Sequence, residues 1–244
     1  MKLNWKEKLY AGYVSTGQAG RRVSDKPTLE TSSFYYFNKA VRPLLPNDLN
    51  CRILDLGCGH GALLNCLKAW GYRNVRGIDV SSEQVELAHS YGIQEVEKGD
   101  LLDSLKSEPI PVDVVFLMDV IEHLERQEIF DLLSEIVLRM TSDGLLVLHM
   151  PNAHGIFGSA IRYSDMTHEL SFTPMSIGQC LRSNGFGEVS IFEDKPIVHG
   201  LVSGLRRCIW EIGSFPFRVL SAAECGAFPL ALSRNMLVTA KVSR

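Results

Sequence analysis

Ile53-Leu54-Asp55-Leu56-Gly57-Cys58-Gly59-His60-Gly61 is the stretch that decides the fold. A short apolar run ends in an acidic residue and three alternating glycines, which reads as a strand entering a tight turn and then a helix. Glycine tolerates positive φ and has no Cβ, so a bound molecule can approach this backbone closely. The helix that follows, over 61–70, presents free N–H groups at its start.

Working outward, strand and helix patterns alternate. Arg52–Asp55 reads as the first strand, Asn74–Asp79 as the second, Gln94–Lys98 as a weak third, Val112–Met118 as a fully apolar fourth and Leu145–Met150 as the fifth. Ile129, Leu132, Leu133, Ile136, Val137 and Met140 recur at helical spacing between the last two. Such alternation predicts an α/β chain with a doubly wound, Rossmann-like, mostly parallel sheet. Pro174 opens a further helix that Gly185 stops, and Glu188–Glu193 and Asn235–Val242 complete seven strands. No linker or repeat interrupts the pattern. The expected organisation is a single domain: a helical cap over 1–49, a cofactor-binding core over 50–194, an apolar insertion over 195–233 and the last strand over 234–244.

The 244 residues are 45% hydrophobic and 22% charged, with a net charge of −3 and no basic block. Nucleic acid is therefore not an expected partner. No apolar run reaches the ~18 residues of a membrane-spanning helix. The first residues, Met1 to Lys8, lack the apolar centre of a signal peptide, so the expectation is a cytoplasmic protein with free thiols. Cys51, Cys58, Cys66, Cys180, Cys208 and Cys225 include no C-x-x-C pair and so lack zinc-ligand spacing. Cys58, inside the glycine turn, reads as a small packing residue.

Asp55 precedes the first glycine by two residues and is expected to face the same crevice. A carboxylate there repels a pyrophosphate and attracts a cationic amino-acid moiety, which favours S-adenosylmethionine over a dinucleotide. Gly57-x-Gly59-x-x-Ala62 also satisfies the loose dinucleotide fingerprint, with Asp79 at a suitable distance, so an NAD(P)-dependent oxidoreductase is the rival enzyme reading. A Tyr-x-x-x-Lys pair of the short-chain dehydrogenase kind occurs only as Tyr35 and Lys39, upstream of the turn and in the wrong order. A non-catalytic cofactor-binding regulator is the third reading.

Four segments in order carry a family resemblance: Asp55-Leu56-Gly57-Cys58-Gly59-His60-Gly61, Gly77-Ile78-Asp79-Val80-Ser81, Gly99-Asp100-Leu101 and Asp119-Val120-Ile121-Glu122-His123-Leu124. Over roughly 50–193 the chain resembles the class I S-adenosylmethionine-dependent methyltransferases. The fourth segment is similar to the ubiquinone-type O-methyltransferases. Asp165-Met166-Thr167-His168 with Phe172-Thr173-Pro174 is more loosely similar to methyltransferases of glycan biosynthesis. The resemblance implies cofactor contacts from Asp55, Gly57, Cys58, Gly59, Gly61, Asp79, Val80, Asp100, Leu101, Met118 and Asp119. Ligands of open α/β sheets sit outside the strand carboxyl ends. There Asp79 can accept ribose hydroxyls, Asp100 the adenine amino group, and Leu101 can pack on the adenine face. Helix capping is the competing role for Asp79, and a turn for Asp100.

Methylation of a hydroxyl gains from a general base, typically ~10²–10⁴-fold. His123, just past strand four, and His168, beside Asp165 and Glu169, compete for that role, while His60 is expected to touch the cofactor. His168 is favoured slightly, since its acidic neighbours can orient it. Asp119, Glu122 and His123 have the i, i+3, i+4 spacing that puts three ligands on one face of a helical turn. In some relatives the matching trio is associated with a divalent cation; acids opposing a helix dipole are the alternative. The expected acceptor is a small molecule, sugar or lipid-linked glycan. Phe34–Phe37, the 154–168 segment and the 195–233 insertion are expected to build its pocket, the insertion acting as a lid or as a peripheral membrane contact.

Overall fold

The computed structural model describes residues 5–12 and 31–243. The rest of the expected cap lies outside the described residues. Seven strands form one sheet in the order β3-β2-β1-β4-β5-β7-β6: β1 (Arg52–Leu56), β2 (Asn74–Asp79), β3 (Val96–Lys98), β4 (Val112–Met118), β5 (Met140–Pro151), β6 (Phe186–Glu193) and β7 (Asn235–Val242). The first five run parallel, and β7 is antiparallel to both its neighbours. The doubly wound reading is therefore correct.

Helices cover both faces because the strands alternate. Leu54 and Leu56 of β1, Val115 and Leu117 of β4, and Leu146 and Leu148 of β5 pack on one side with Ile129 and Leu133. Ile53, Val114, Phe116 and Val147 pack on the other with Leu63 and Leu67. The period of two thus directs each strand to both layers. The helices are α1 (Trp5–Ala11), α2 (Thr31–Tyr36), α3 (Ala62–Ala69), α4 (Ser82–Ser90), α5 (Leu101–Lys106), α6 (Arg126–Arg139), α7 (Gly158–Arg162), α8 (Pro174–Ser183) and α9 (Leu201–Cys225). A π-turn over Phe37–Val41 and a 3₁₀ turn over Arg42–Leu44 continue α2.

The pattern-based expectation is departed from in several places; β1 runs on to Leu56 and β6 starts two residues early, at Phe186. β3 begins at Val96, because only three residues pair with β2. β5 reaches back to Met140, which pairs with Val112, so Asp143-Gly144 lies inside the strand and not at its start. The insertion contains one 25-residue helix, α9, which runs through Pro216.

Candidate functional site

The carboxyl ends of β1, β2 and β4 meet around a cavity of about 420 Å³. Gly57 and Gly59 form its rim at φ 76° and 54°. The amides of Gly57 and Cys58 both donate to Ile78 O, at 2.8 and 3.1 Å, which ties the turn to the end of β2. A Cβ at Gly57 would stand 2.4 Å from Val120 Cγ2. A Cβ at Gly59 would meet nothing closer than the Gln84 side chain at 3.8 Å, so the missing side chain there leaves open space.

Asp79 is the best-held polar group. Its Oδ2 accepts from Gly59 N and its Oδ1 from Ser81 N, each at 2.8 Å. Burial raises its pKa, and these two amides oppose the rise. Each oxygen keeps a further lone pair for a ligand hydroxyl. Asp100 Oδ1 accepts from Leu102 N and Asp103 N at 2.9 and 3.0 Å, so this residue is the N-cap of α5 and a cavity wall at once. Val80, Leu101, Leu102 and Leu132 add apolar lining.

Asp119 closes the floor with a left-handed backbone, φ 57°. Its Oδ1 lies 2.7 Å from His149 Nδ1, and His149 Nε2 lies 3.3 Å from Asp194 Oδ2. Burial disfavours charge on His149, yet Asp119 and Asp194 outweigh it and hold this imidazole well above the usual histidine range. Both ring nitrogens then carry protons, and the ring meets Tyr36 edge-on at 5.7 Å.

Past Asp119 the chain makes a 3₁₀ turn over Ile121–His123. This corrects the expected helical trio: Asp119 turns away to His149, and the ligand atoms that converge are those of Glu122, His123 and His168, all within 4.8 Å of one another. Glu122 is buried, with Oε2 lacking a partner. Burial and then Asp119 push its carboxyl well above the usual range. Its carbonyl accepts from Glu169 N and Leu170 N at 2.7 and 3.1 Å, which docks the segment after β5 against this turn.

His123 lines the cavity. Its Nδ1 is 2.8 Å from Thr167 Oγ1, and that hydroxyl donates to Asp165 Oδ1 at 2.6 Å. With its proton committed to Asp165, the hydroxyl can only accept from the ring. The proton of His123 therefore sits on Nδ1, and Nε2 keeps its lone pair. Burial and then the neighbouring His168 lower its pKa to about 4, so the ring is neutral at physiological pH. His168 packs edge-on against it at 4.7 Å but is not among the lining residues. Its Nδ1 faces the carbonyls of Ile161 and Arg162 at 3.1 and 3.3 Å.

The side-chain partners shown for these acidic neighbours are other residues than His168. Asp165 serves His123 through Thr167, and Glu169 pairs with Lys6 at 3.2 Å.

Of the sequence-based cofactor set, Gly57, Gly59, Asp79, Val80, Asp100, Leu101 and Asp119 line the cavity. Asp55, Cys58, Gly61 and Met118 do not. Asp55 is 2% exposed with Oδ1 unpartnered, its pKa pushed up to about 8 by burial and then by Asp79. Cys58 packs on Gly77, where a Cβ would meet its Sγ at 2.6 Å. Gly61 is the left-handed N-cap of α3. Met118 packs against the second core layer, and His60 meets Tyr91 edge-on. Neither Phe34–Phe37, nor 154–168, nor the 195–233 insertion contributes a lining residue. Lys6 and Tyr10 of α1 do, together with Gln84, Leu124 and Glu128. His149 escaped the sequence reading, although a histidine among apolar residues at a strand's carboxyl end was available as a signal.

A methyltransferase-domain family model matches residues 30–191, and the chain belongs to that family. The fold is shared with a SAM-dependent methyltransferase from Archaeoglobus fulgidus (TM-score 0.66, 22% identity, 98% of this chain and 100% of that one). It is also shared with an S-adenosylmethionine-dependent methyltransferase from Mesorhizobium loti (TM-score 0.56, 18% identity, 88% and 100%). A third similar structure is phosphoethanolamine N-methyltransferase 2 from Haemonchus contortus (TM-score 0.63, 16% identity, 99% and 60%). No curated protein matches the chain.

Proposed function

We propose that this methyltransferase transfers the methyl group of S-adenosylmethionine to a hydroxyl of a small-molecule or glycan acceptor, with His123 as general base. The cofactor is S-adenosylmethionine, and the residues present suit it. Asp79, Asp100 and Asp119 offer acceptors to hydroxyl, amino and ammonium donors, and the side-chain-free rim at Gly59 admits a ligand close to the backbone. Bound there, the cofactor supplies an electrophilic methyl on a sulfonium; the protein supplies position and electrostatics. NAD(P) is not favoured, because Asp79 and Asp119 set carboxyl groups against the glycine turn where a pyrophosphate would lie.

The observation that carries the base assignment is the relay from Asp165 through Thr167 to His123. It places the proton on Nδ1 of a cavity-lining, neutral imidazole and leaves Nε2 as the basic nitrogen. Such a ring can take a proton from an acceptor hydroxyl as the oxygen attacks. His168 packs edge-on against the ring. The test is mass spectrometry of products from a panel of sugar, phenol and lipid-linked acceptors given methyl-labelled S-adenosylmethionine. Label on an acceptor oxygen is expected. Label only on nitrogen, or NADH binding without a response to S-adenosylmethionine, overturns the reading.

A further inference from the structure

Helix α9 is inside out for a helix of a water-soluble surface. Only Ser203 and Ser214 of its 25 residues are buried. Its polar side faces the body of the protein: Arg207 and Lys195 both pair with Glu211, and Arg218 pairs with Glu193. Its apolar side faces out. Leu201 is 95% exposed and Ile212 75%, and Leu205, Ile209, Phe215 and Leu220 continue the same face.

At 100° per residue these side chains fall within an arc of about 140°, along a helix of about 37 Å. No charged residue lies in that arc. Exposed large apolar side chains on α9 leave on the order of 1,000 Å² accessible, beyond the ~300–600 Å² of the largest patch on an ordinary monomer. No helix among the described residues is long and apolar enough to cross a membrane.

From this we infer that α9 docks the protein on the interface of a lipid bilayer, lying in the membrane plane with its outer face among the acyl chains. Two features favour lipid over a second copy of the chain. A protein interface of this size carries about ten hydrogen bonds, and the arc offers no side chain to make them, whereas acyl chains ask for none. A paired helix needs only a narrow apolar seam, and an arc this wide would leave its edges wet. Arg206, exposed at the border of the arc, is placed to reach lipid phosphates while its stem stays in the apolar layer. The helix cannot turn this face onto its own cavity without breaking the ion pairs that pin the other face.

The test is co-sedimentation of the whole protein with vesicles of phosphatidylcholine alone and with one quarter phosphatidylglycerol, beside the variant L205E/I209E/I212E. Retained S-adenosylmethionine binding confirms that the variant is folded, and the readout is independent of any turnover. The wild-type protein is expected to pellet with both vesicles, and more with the anionic ones. The variant should partition at least tenfold less. A wild-type protein that stays in the supernatant overturns the assignment. If sedimentation equilibrium then shows a dimer that the variant abolishes, the face is a self-association surface instead.

Discussion

Nδ1 of His123 lies 2.8 Å from Oγ1 of Thr167, and the hydroxyl proton of Thr167 is committed to Asp165. This one contact decides which ring nitrogen holds the proton. Thr167→Val keeps the shape and removes the relay, so turnover should fall ~10-fold or more while cofactor affinity stays within about twofold. Thr167→Ser should restore most of the rate. His123→Gln should cost ~10²-fold or more. Steady-state kinetics beside calorimetry separates these effects. An unaltered turnover number for His123→Gln would remove His123 as the base.

The pH dependence follows from the same site. A free histidine titrates near 6.5, but burial and His168 place His123 at about 4. The acid limb of the turnover profile should therefore lie well below pH 6.5 and disappear in His123→Gln. A wild-type limb at 6.5 would point to an ordinary, solvated imidazole.

Asp79 joins the glycine turn to the start of α4 through two backbone amides. Asp79→Ala leaves both amides without an acceptor and deletes the carboxylate proposed to hold the cofactor ribose. Affinity for S-adenosylmethionine or its demethylated product should fall tenfold or more, equivalent to at least ~1.4 kcal/mol. Calorimetry that shows unchanged binding would place the cofactor elsewhere.

Gly57 illustrates how tightly the turn is packed. Gly57→Ala adds a Cβ 2.4 Å from Val120 Cγ2 at φ 76°, so crowding and backbone strain combine. Urea unfolding should show a loss of about 2–4 kcal/mol. Gly92→Ala is the control, since it shares the positive φ of 81° but has nothing within 4 Å of the new Cβ. It should lose about 1 kcal/mol. Equal losses would mean that Val120 yields freely.

These contrasts explain what was readable in the chain. Strand positions and the glycine turn are local properties, written in apolar runs and turn residues, and β2, β4 and β7 fall where the pattern puts them. Asp79 and Asp100 were legible for the same reason, because a strand end predicts a position. The hydrogen-bonded pairs were not. His149 and Asp194 are 45 residues apart, and so are brought together only by the β5-β7-β6 arrangement. Glu169 looks in sequence like a partner of His168, but the loop turns it to Lys6. The apolar character of 195–233 was plain, yet which side of α9 faces out depends on ion pairs to Glu193 and Lys195 that periodicity does not encode.

The clamp on His149 makes the last prediction. Asp119 and Asp194 raise its folded pKa well above the unfolded value near 6.5. A raised histidine pKa means that the folded state binds the proton more tightly. Its contribution to stability is complete below about pH 6.5 and is lost as pH rises through the folded pKa. Asp119, held below its usual range against burial by His149, contributes in the opposite direction, and its share is lost as pH falls through its own folded pKa. The pair is therefore at full strength in the weakly acidic range. His149→Gln should lower the melting temperature most near pH 6 and progressively less towards pH 9–10. The cofactor should also bind more weakly to it, because Asp119, which lines the cavity, loses the cation that fixes its carboxylate. Thermal melts across pH 5–10 measure the first effect. A deficit that is the same at every pH would mean that His149 acts only as a packed, neutral ring.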